Sequence, residues 1–402
     1  MEKISKITFI GDITCDKPLL QASYKDGSYN FEKVFENVKN FFWKSDIVVG
    51  NLETVFAGNK TGYNSEYMIL NSPDELLNSI RNSNIKIVTC ANNHFMDQGI
   101  KGLTRTLDIL DKNGISHVGA YRNKDEYNKN FNFILANHKI SILSATSNIN
   151  SSNIDEPITG DEFYNIDMLK RDKVEYPNGI LGIIKRIFFI FPPRSRRRIK
   201  RLRAKLKLRT GKSYFKEITD KKTDGDFENI YFKRWLDKIE KAKSESDIVI
   251  VCPHFGGQFN REPGTYSTEL LKILLEKNVH VIGNHPHVIQ KVIEKEGYIG
   301  AYSLGSFNQS LSADYINKKN FPEYSIAINF YIDSSGVIKK TFSIFKSIEY
   351  EDNSMSIFLI SDLIGKLNID ESIKLKEDIE IIYSTVTGLK ISNVDIKEEY
   401  DF

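Results

Sequence analysis

Ile7-Thr8-Phe9-Ile10-Gly11-Asp12 is a short β-rich run that stops on Gly-Asp, and the same pattern recurs along the chain. Asp46 to Val49 runs into Gly50-Asn51-Leu52-Glu53, Ile85 to Thr89 into Ala91-Asn92-Asn93-His94, Ile248 to Cys252 into Pro253-His254-Phe255-Gly256-Gly257, and His280 to Ile282 into Gly283-Asn284-His285-Pro286-His287. Helical periodicities separate these runs at Phe31 to Phe42, Pro73 to Ser79, Gly99 to Asn113, Asn229 to Ser244 and Tyr266 to Lys277. Further strands are expected at Ser116 to Val118, Phe131 to Leu135 and Ile140 to Ala145. Strands alternating with helices predict βαβ units, hence an α/β fold. With 402 residues, 40% of them hydrophobic, the chain can build a large core without staples. Its three cysteines, Cys15, Cys90 and Cys252, are odd in number and far apart, which predicts reduced thiols in a cytoplasmic protein.

The α/β pattern is interrupted from about 151 to 226 and then resumes. Within the interruption, Gly179 to Phe191 is apolar, Pro192-Pro193 breaks it, and a basic run follows from Arg194. The formal net charge is only +3, yet Lys185 to Lys212 holds 13 Lys or Arg and no Asp or Glu, leaving 43 basic against 53 acidic residues elsewhere. An acidic body thus carries one strongly basic element. Phe188, Phe189 and Phe191 beside Arg194, Arg196, Arg197, Arg198 and Arg201 predict a segment lying on an anionic membrane surface. Nucleic-acid binding and a solvated lid are the other readings, and nucleic acid is disfavoured because its basic arms seldom need an aromatic, apolar half. No run of 18 apolar residues and no secretion signal is seen, so the expected place is the cytoplasm, peripheral at the inner membrane face. After Ser310, a hairpin of Ser325 to Ile332 and Val337 to Phe345 around Asp333-Ser334-Ser335-Gly336, then a mainly helical charged tail, form a C-terminal extension over 311–402.

Residues with metal-ligand chemistry cluster just past the predicted strands, where open α/β sheets place ligands. Singly, each has an ordinary explanation: Gly-Asp is a common turn and Asn a common helix cap. Four of the seven histidines, His94, His254, His285 and His287, nevertheless fall at strand ends, and only His117, His138 and His280 do not. Asp, Glu, Asn and His together suit one or two divalent ions, Mn, Fe, Zn or Mg, rather than a thiolate site. Two such ions can clamp an in-line displacement at phosphorus, and one carboxylate, Asp12 or Glu53, must then bridge them.

Six blocks, Ile7 to Asp12, Asp46 to Glu53, Ala91 to Gly99, His254 to Gly256, Gly283 to Val288 and Tyr302 to Phe307, resemble the CapA-type capsule synthesis proteins, named for poly-gamma-glutamate capsule assembly. The resemblance implies a calcineurin-like metallophosphatase fold, with layered sheets flanked by helices over 1–310. It implies a metal site of Asp12, Glu53, Asn93, His254, His285 and His287, with Asp12 and His94 at the reacting group and His94 as proton donor. Against the family pattern, Thr14 stands where a histidine is usual, Gln258 where a glutamate is usual, and Ser306 where an asparagine is usual. The expected activity is metal-dependent phosphoester hydrolysis on a phosphorylated or polymer-linked substrate at the membrane face. The alternative is a non-catalytic binding or assembly factor of a polymer-synthesis complex.

Overall fold

The computed structural model describes residues 4–66, 68–151, 163–171, 180–192, 194–200, 202 and 220–402. The strands are, in chain order, β1 (Ser5–Ile13), β2 (Tyr24–Lys25), β3 (Ser28–Tyr29), β4 (Ile47–Leu52), β5 (Ile85–Thr89), β6 (Ser116–Val118), β7 (Asn132–Leu135), β8 (His138–Thr146), β9 (Ile248–His254), β10 (His280–Ile282), β11 (Val292–Lys295), β12 (Tyr298–Ala301), β13 (Ser306–Asn308), β14 (Tyr324–Asp333), β15 (Gly336–Glu349), β16 (Met355–Leu359) and β17 (Tyr400–Asp401). Among the described residues they make a small two-stranded sheet of β2 and β3 and two large sheets. One has the order β16-β15-β14-β1-β4-β5-β6, with β13 paired to β1 and β17 to β15; the other runs β11-β12-β10-β9-β8-β7. β1, β4, β5 and β6 are mutually parallel, as are β8, β9, β10 and β12.

Side-chain alternation along the strands stacks these sheets. Ile7 and Phe9 of β1, Val49 of β4, Ile140 and Ile142 of β8 and Ile250 and Cys252 of β9 share one buried cluster between the two sheets. The opposite faces carry helices. Ile10, Ile13 and Val48 pack against Leu103, Leu107 and Leu110 of the helix Gly99–Lys112, whose apolar residues recur every three or four positions. On the far side, Leu143, Val249 and Val251 pack with Trp235 and Ile239 of the helix Ile230–Glu245, and with Leu270 and Leu274 of the helix Thr265–Leu275. Asn229 fixes the start of the first of these by accepting from the Tyr231 and Phe232 amides. The result is a layered α/β fold of helices, sheet, sheet and helices.

Three local expectations change. Gly11-Asp12 is no turn: it lies inside β1, and a Cβ on Gly11 would sit 1.8 Å from the Gly305 carbonyl oxygen. The helix expected over Phe31 to Phe42 is split into Glu32–Phe35, a 3-10 turn Glu36–Val38 and Lys39–Phe42. That tightening lets Phe35 and Phe42 both meet Phe307, while Phe41 and Phe42 meet Phe345. The tail contains strands as well as helices. The hairpin β14–β15 is present, and β14 pairs antiparallel with β1, so residues of 311–402 complete the first sheet. The helix Ile369–Thr387, opened by a capping box of Asn368 and Glu371, buries Leu375, Ile379 and Ile382 in the inter-sheet core. Cys15, Cys90 and Cys252 are free and buried, and burial pushes each thiol up.

Candidate metal centre

The carboxyl ends of β1, β4 and β5 from one sheet meet those of β9 and β10 from the other. Asp12 is the last residue but one of β1, Glu53 follows β4, Asn93 and His94 follow β5, His254 ends β9, and His285 and His287 follow β10. All seven are buried. The His254 Nε2 atom lies 2.7 Å from Asn93 Oδ1, 2.9 Å from His285 Nδ1 and 3.6 Å from Glu53 Oε1. His287 Nδ1 lies 3.3 Å from Asp12 Oδ2 and 3.8 Å from Glu53 Oε2. The two oxygens of Glu53 therefore face two different donor groups. One is Asn93, His254 and His285; the other is Asp12 and His287.

Neither Glu53 oxygen has a hydrogen-bond partner, although both are buried. Burying an ionised carboxylate without a partner costs several kcal/mol, so its surroundings are built for something else. Burial first, and then the charge of Asp12, hold the Glu53 carboxyl well above its usual range. Burial, then His285 and His287, hold His254 well below the usual imidazole range; burial, then His287 and His94, push His285 down to about 3. These imidazoles are neutral, which is the form that ligates metals. Glu53, His285 and His287 each offer an atom within 4.8 Å of the others, a spacing that suits a cation. A divalent ion fits this donor set: it would supply the positive charge that the orphaned carboxylate lacks.

The backbone shows how the histidines converge. His285 has φ 107° and His287 φ 60°, on either side of Pro286, conformations costly for residues with a Cβ. Sequence reasoning expects Pro286 to make the bend; the flanking histidines make it too. Gly283 precedes the turn because its Cβ would come within 2.3 Å of the Tyr302 carbonyl oxygen.

Several supporting residues were missed by the sequence reading. Asn51 Nδ2 donates to Asp12 Oδ1 (2.7 Å), and Asn51 Oδ1 accepts from Thr89 Oγ1 (3.0 Å) and Asn92 Nδ2 (3.3 Å). The period of two along β4 puts Asn51 on the face of Glu53, a signal available in the sequence. Ser306, the odd residue in its block, lies 2.8 Å from His287 Nδ1 and orients that ring. Asp97 Oδ2 lies 2.6 Å from His94 Nδ1 and accepts from the Leu70 amide (2.7 Å). Burial raises the Asp97 carboxyl, and His94 beside it pulls the other way. Thr14 is tied to Asn308, its hydroxyl donating to the Asn308 carbonyl (2.7 Å). Thr14, Gln258 and Tyr315, with Glu53, His94 and His287, line a small cavity of about 20 Å³ at the centre. That cavity shares Met68, Leu70 and Tyr315 with an open one of about 380 Å³ that Glu66 also lines.

The residues expected on a membrane are placed unevenly. Phe191, Arg194 and Arg198 are exposed, Phe188 and Phe189 are half-buried, and Arg201 lies outside the described residues. Arg196 and Arg197 are buried, contrary to expectation. The helical residues 194–200 begin with the Arg196 amide donating to the Pro192 carbonyl, and this turns both side chains inward. The Arg196 guanidinium stacks on Phe189, 4.6 Å from its ring centre, and Arg197 pairs with Glu66. Among the described residues no helix is long and apolar enough to cross a membrane.

Over residues 6–310 the chain matches the family described as bacterial capsule synthesis protein PGA_cap. It is 22% identical over 309 residues to the PGA biosynthesis protein CapA of Bacillus subtilis, covering 76% of this chain and 63% of that protein. It is 23% identical over 318 residues to the capsule biosynthesis protein CapA of Bacillus anthracis, covering 76% and 60%. The match thus spans about three-fifths of the length of these relatives. Among solved structures, a putative 5'-nucleotidase from Staphylococcus aureus aligns with a TM-score of 0.42 at 11% identity, over 94% of this chain and 58% of that one. A hypothetical protein from Thermus thermophilus aligns with a TM-score of 0.37 at 10% identity, over 88% and 98%.

Proposed function

This chain belongs to the bacterial capsule synthesis protein family PGA_cap, and we propose that it serves capsule production as a metal-dependent phosphoester hydrolase at the inner membrane face. The observation that carries the reading is the buried Glu53 carboxylate, unpartnered on both oxygens and flanked by His254 on one side and His287 on the other. Asp12, Glu53, Asn93, His254, His285 and His287 would hold one or two divalent ions. Such an ion, when bound, supplies Lewis acidity toward a phosphoryl oxygen and lowers the pKa of a bound water.

The chain's own residues supply the rest. His94 borders the small cavity at the centre and donates a proton to the oxygen that leaves phosphorus, while Asp97 holds its ring through Nδ1. Asn51 keeps Asp12 in place, and Ser306 does the same for His287. The Phe255 and Phe259 side chains are almost fully buried, and Phe259 packs 5.6 Å from the His287 ring, which restricts water around that ligand. The substrate class we assign is a phosphorylated intermediate of a capsule polymer, poly-gamma-glutamate being the polymer that the family resemblance implies.

Thr14 and Gln258 favour a second reading. They line the small cavity without adding a histidine or carboxylate ligand, as a non-catalytic assembly factor could tolerate. Hydrolysis of bis(p-nitrophenyl) phosphate with added manganese separates the two. The hydrolase reading expects turnover that stops on chelation and in His285→Ala; absence of turnover in the metal-loaded wild type favours the assembly factor.

A further inference from the structure

The helix Ile180–Ile190 carries a row of bare isoleucines. Ile180 is 77% exposed, Ile183 and Ile184 56% each, Ile187 52% and Ile190 80%, and Phe191 beyond the helix end is 46% exposed. The spacing of three, four and seven residues lays them along one face. A continuous exposed apolar strip of this kind marks an interaction surface rather than ordinary surface scatter. The helix has no acidic residue in its first turn and none elsewhere along its length, and it opens the stretch of 13 basic residues.

Length and charge say which surface it fits. Eleven residues rise about 16 Å, roughly half of a bilayer's hydrocarbon core, so the helix can lie on a membrane but not span it. An apolar strip bordered by Arg and Lys matches the boundary of an anionic bilayer, with isoleucines in the acyl region and cations on the headgroups. A second copy of this chain would offer a body with 43 basic and 53 acidic residues to the cations, and the exposed Ile369 and Ile373 to the strip; that occupant is the outcome the dimer measurement below reads.

The side of this segment that faces the protein leads to the candidate site. Phe189 is half-buried under the Arg196 guanidinium, and Arg197 reaches inward to Glu66. Glu66 lines the cavity of about 380 Å³, which adjoins the small cavity at Glu53, His94 and His287 through Met68, Leu70 and Tyr315. A helix lying on the membrane would therefore set the mouth of that cavity at the lipid surface.

We propose that Ile180–Ile190 is an in-plane anchor for an anionic bilayer and that the cavity beside the metal centre takes a lipid-borne phosphoester from that surface. The substrate half of this proposal rests on the hydrolase reading; the anchor half does not. The isoleucines take the place of Phe188 and Phe189 as the inserted residues, and Arg196 and Arg197 act as the tie to the body. Arg194, although exposed, also pairs with Glu66 (3.5 Å) and so belongs to the tie, while the exposed Arg198 remains on the headgroup side.

The test uses the full chain and the double variant Ile183→Glu/Ile187→Glu, whose altered positions are exposed and outside the metal centre. Co-sedimentation is measured with phosphatidylglycerol vesicles, neutral phosphatidylcholine vesicles and a short DNA duplex. Hydrolysis with manganese is measured on soluble bis(p-nitrophenyl) phosphate and on a p-nitrophenyl phosphodiester carried by a lipid in the vesicles. The wild type is expected to bind the anionic vesicles and to release them in high salt, because headgroup attraction is screened within about 10 Å at 0.1 M. The double variant is expected to bind about tenfold or more weakly and to lose a similar factor on the lipid-borne substrate, with soluble hydrolysis unchanged. Equal vesicle binding by the two proteins, or preference for the duplex, overturns the anchor. So does a wild-type dimer that the variant breaks while neither protein binds vesicles. Equal rates on the lipid-borne substrate overturn the substrate half. Failure of soluble hydrolysis in the wild type would instead strike the hydrolase reading, and vesicle binding would still decide the anchor.

Discussion

The metal centre and the helix Ile180–Ile190 invert the usual distribution of side chains in opposite senses. At the centre, carboxylates, an amide and imidazoles are buried, and Glu53 has no hydrogen-bond partner. On the helix, isoleucines stand in solvent. Each arrangement is unfavourable for the isolated chain, and each would become favourable with the partner proposed above: a cation inside, an apolar and anionic surface outside. Folding energy alone explains neither, so each is better read as a binding feature than as packing.

The largest expected effect breaks the first half of this contrast. Glu53→Gln keeps the volume and removes the charge shared between the two donor groups, and it should lower metal-dependent hydrolysis on the order of a thousandfold or more. The same change should stabilise the metal-free protein by roughly 1 to 3 kcal/mol in urea unfolding with a chelator present, because a buried, unpaired carboxylate is gone. If Glu53→Gln instead destabilises the metal-free fold, the carboxylate has a structural role and the contrast fails. Asn51→Ala should weaken metal binding by about 10- to 100-fold while leaving the ligands themselves intact, as removal of a ligand's support does. Calorimetric titration with manganese reads that directly.

Much of the centre was legible because its chemistry repeats locally: each strand ends on a Gly or a polar pair, and the parallel strands bring those ends together. Asp12, Glu53, Asn93, His254, His285 and His287 could be picked from that pattern and the resemblance. Asn51 was missed although the period of two along β4 pointed to it, and the role of Ser306 was not legible, since a serine at the start of the short strand β13 carries no chemistry until His287 is in place. In the insertion, only the facing of single residues was out of reach. Composition shows that phenylalanines and arginines are present but not which way they face, and the turn after Pro192 sends Arg196 and Arg197 inward. Nor can local pattern reveal that β14 returns to pair with β1, because that antiparallel contact joins residues more than 300 positions apart.

A smaller effect concerns Asp16, on the wall of the larger cavity. Burial raises its carboxyl to about 6 even though Ser310 and the Leu19 amide bond to it. Since the folded value lies above the unfolded one of about 3.9, the native state binds the proton more tightly, and this group's contribution to stability is full below about pH 4 and declines up to about pH 6. In Asp16→Asn that component of the pH dependence should vanish, while the side chain still caps the helix Lys17–Ala22. Urea midpoints from pH 4 to pH 7 check it; an unchanged slope would mean that the carboxyl is hydrated. Least of all should be seen at His138, which is half-buried at the far end of β8 with Nε2 3.0 Å from the Asp333 carbonyl oxygen. His138→Ala should change manganese affinity by less than about twofold, because it touches neither donor group.

The most direct test of the central claim is the metal content of the purified chain. Wild type and Glu53→Gln, matched for fold by circular dichroism, are loaded with manganese, passed through a desalting column and assayed by mass spectrometry of the bound metal. One or two ions per wild-type chain and a clear loss in Glu53→Gln are the predicted result. A wild type that retains no metal, or a variant that retains as much, would contradict the account.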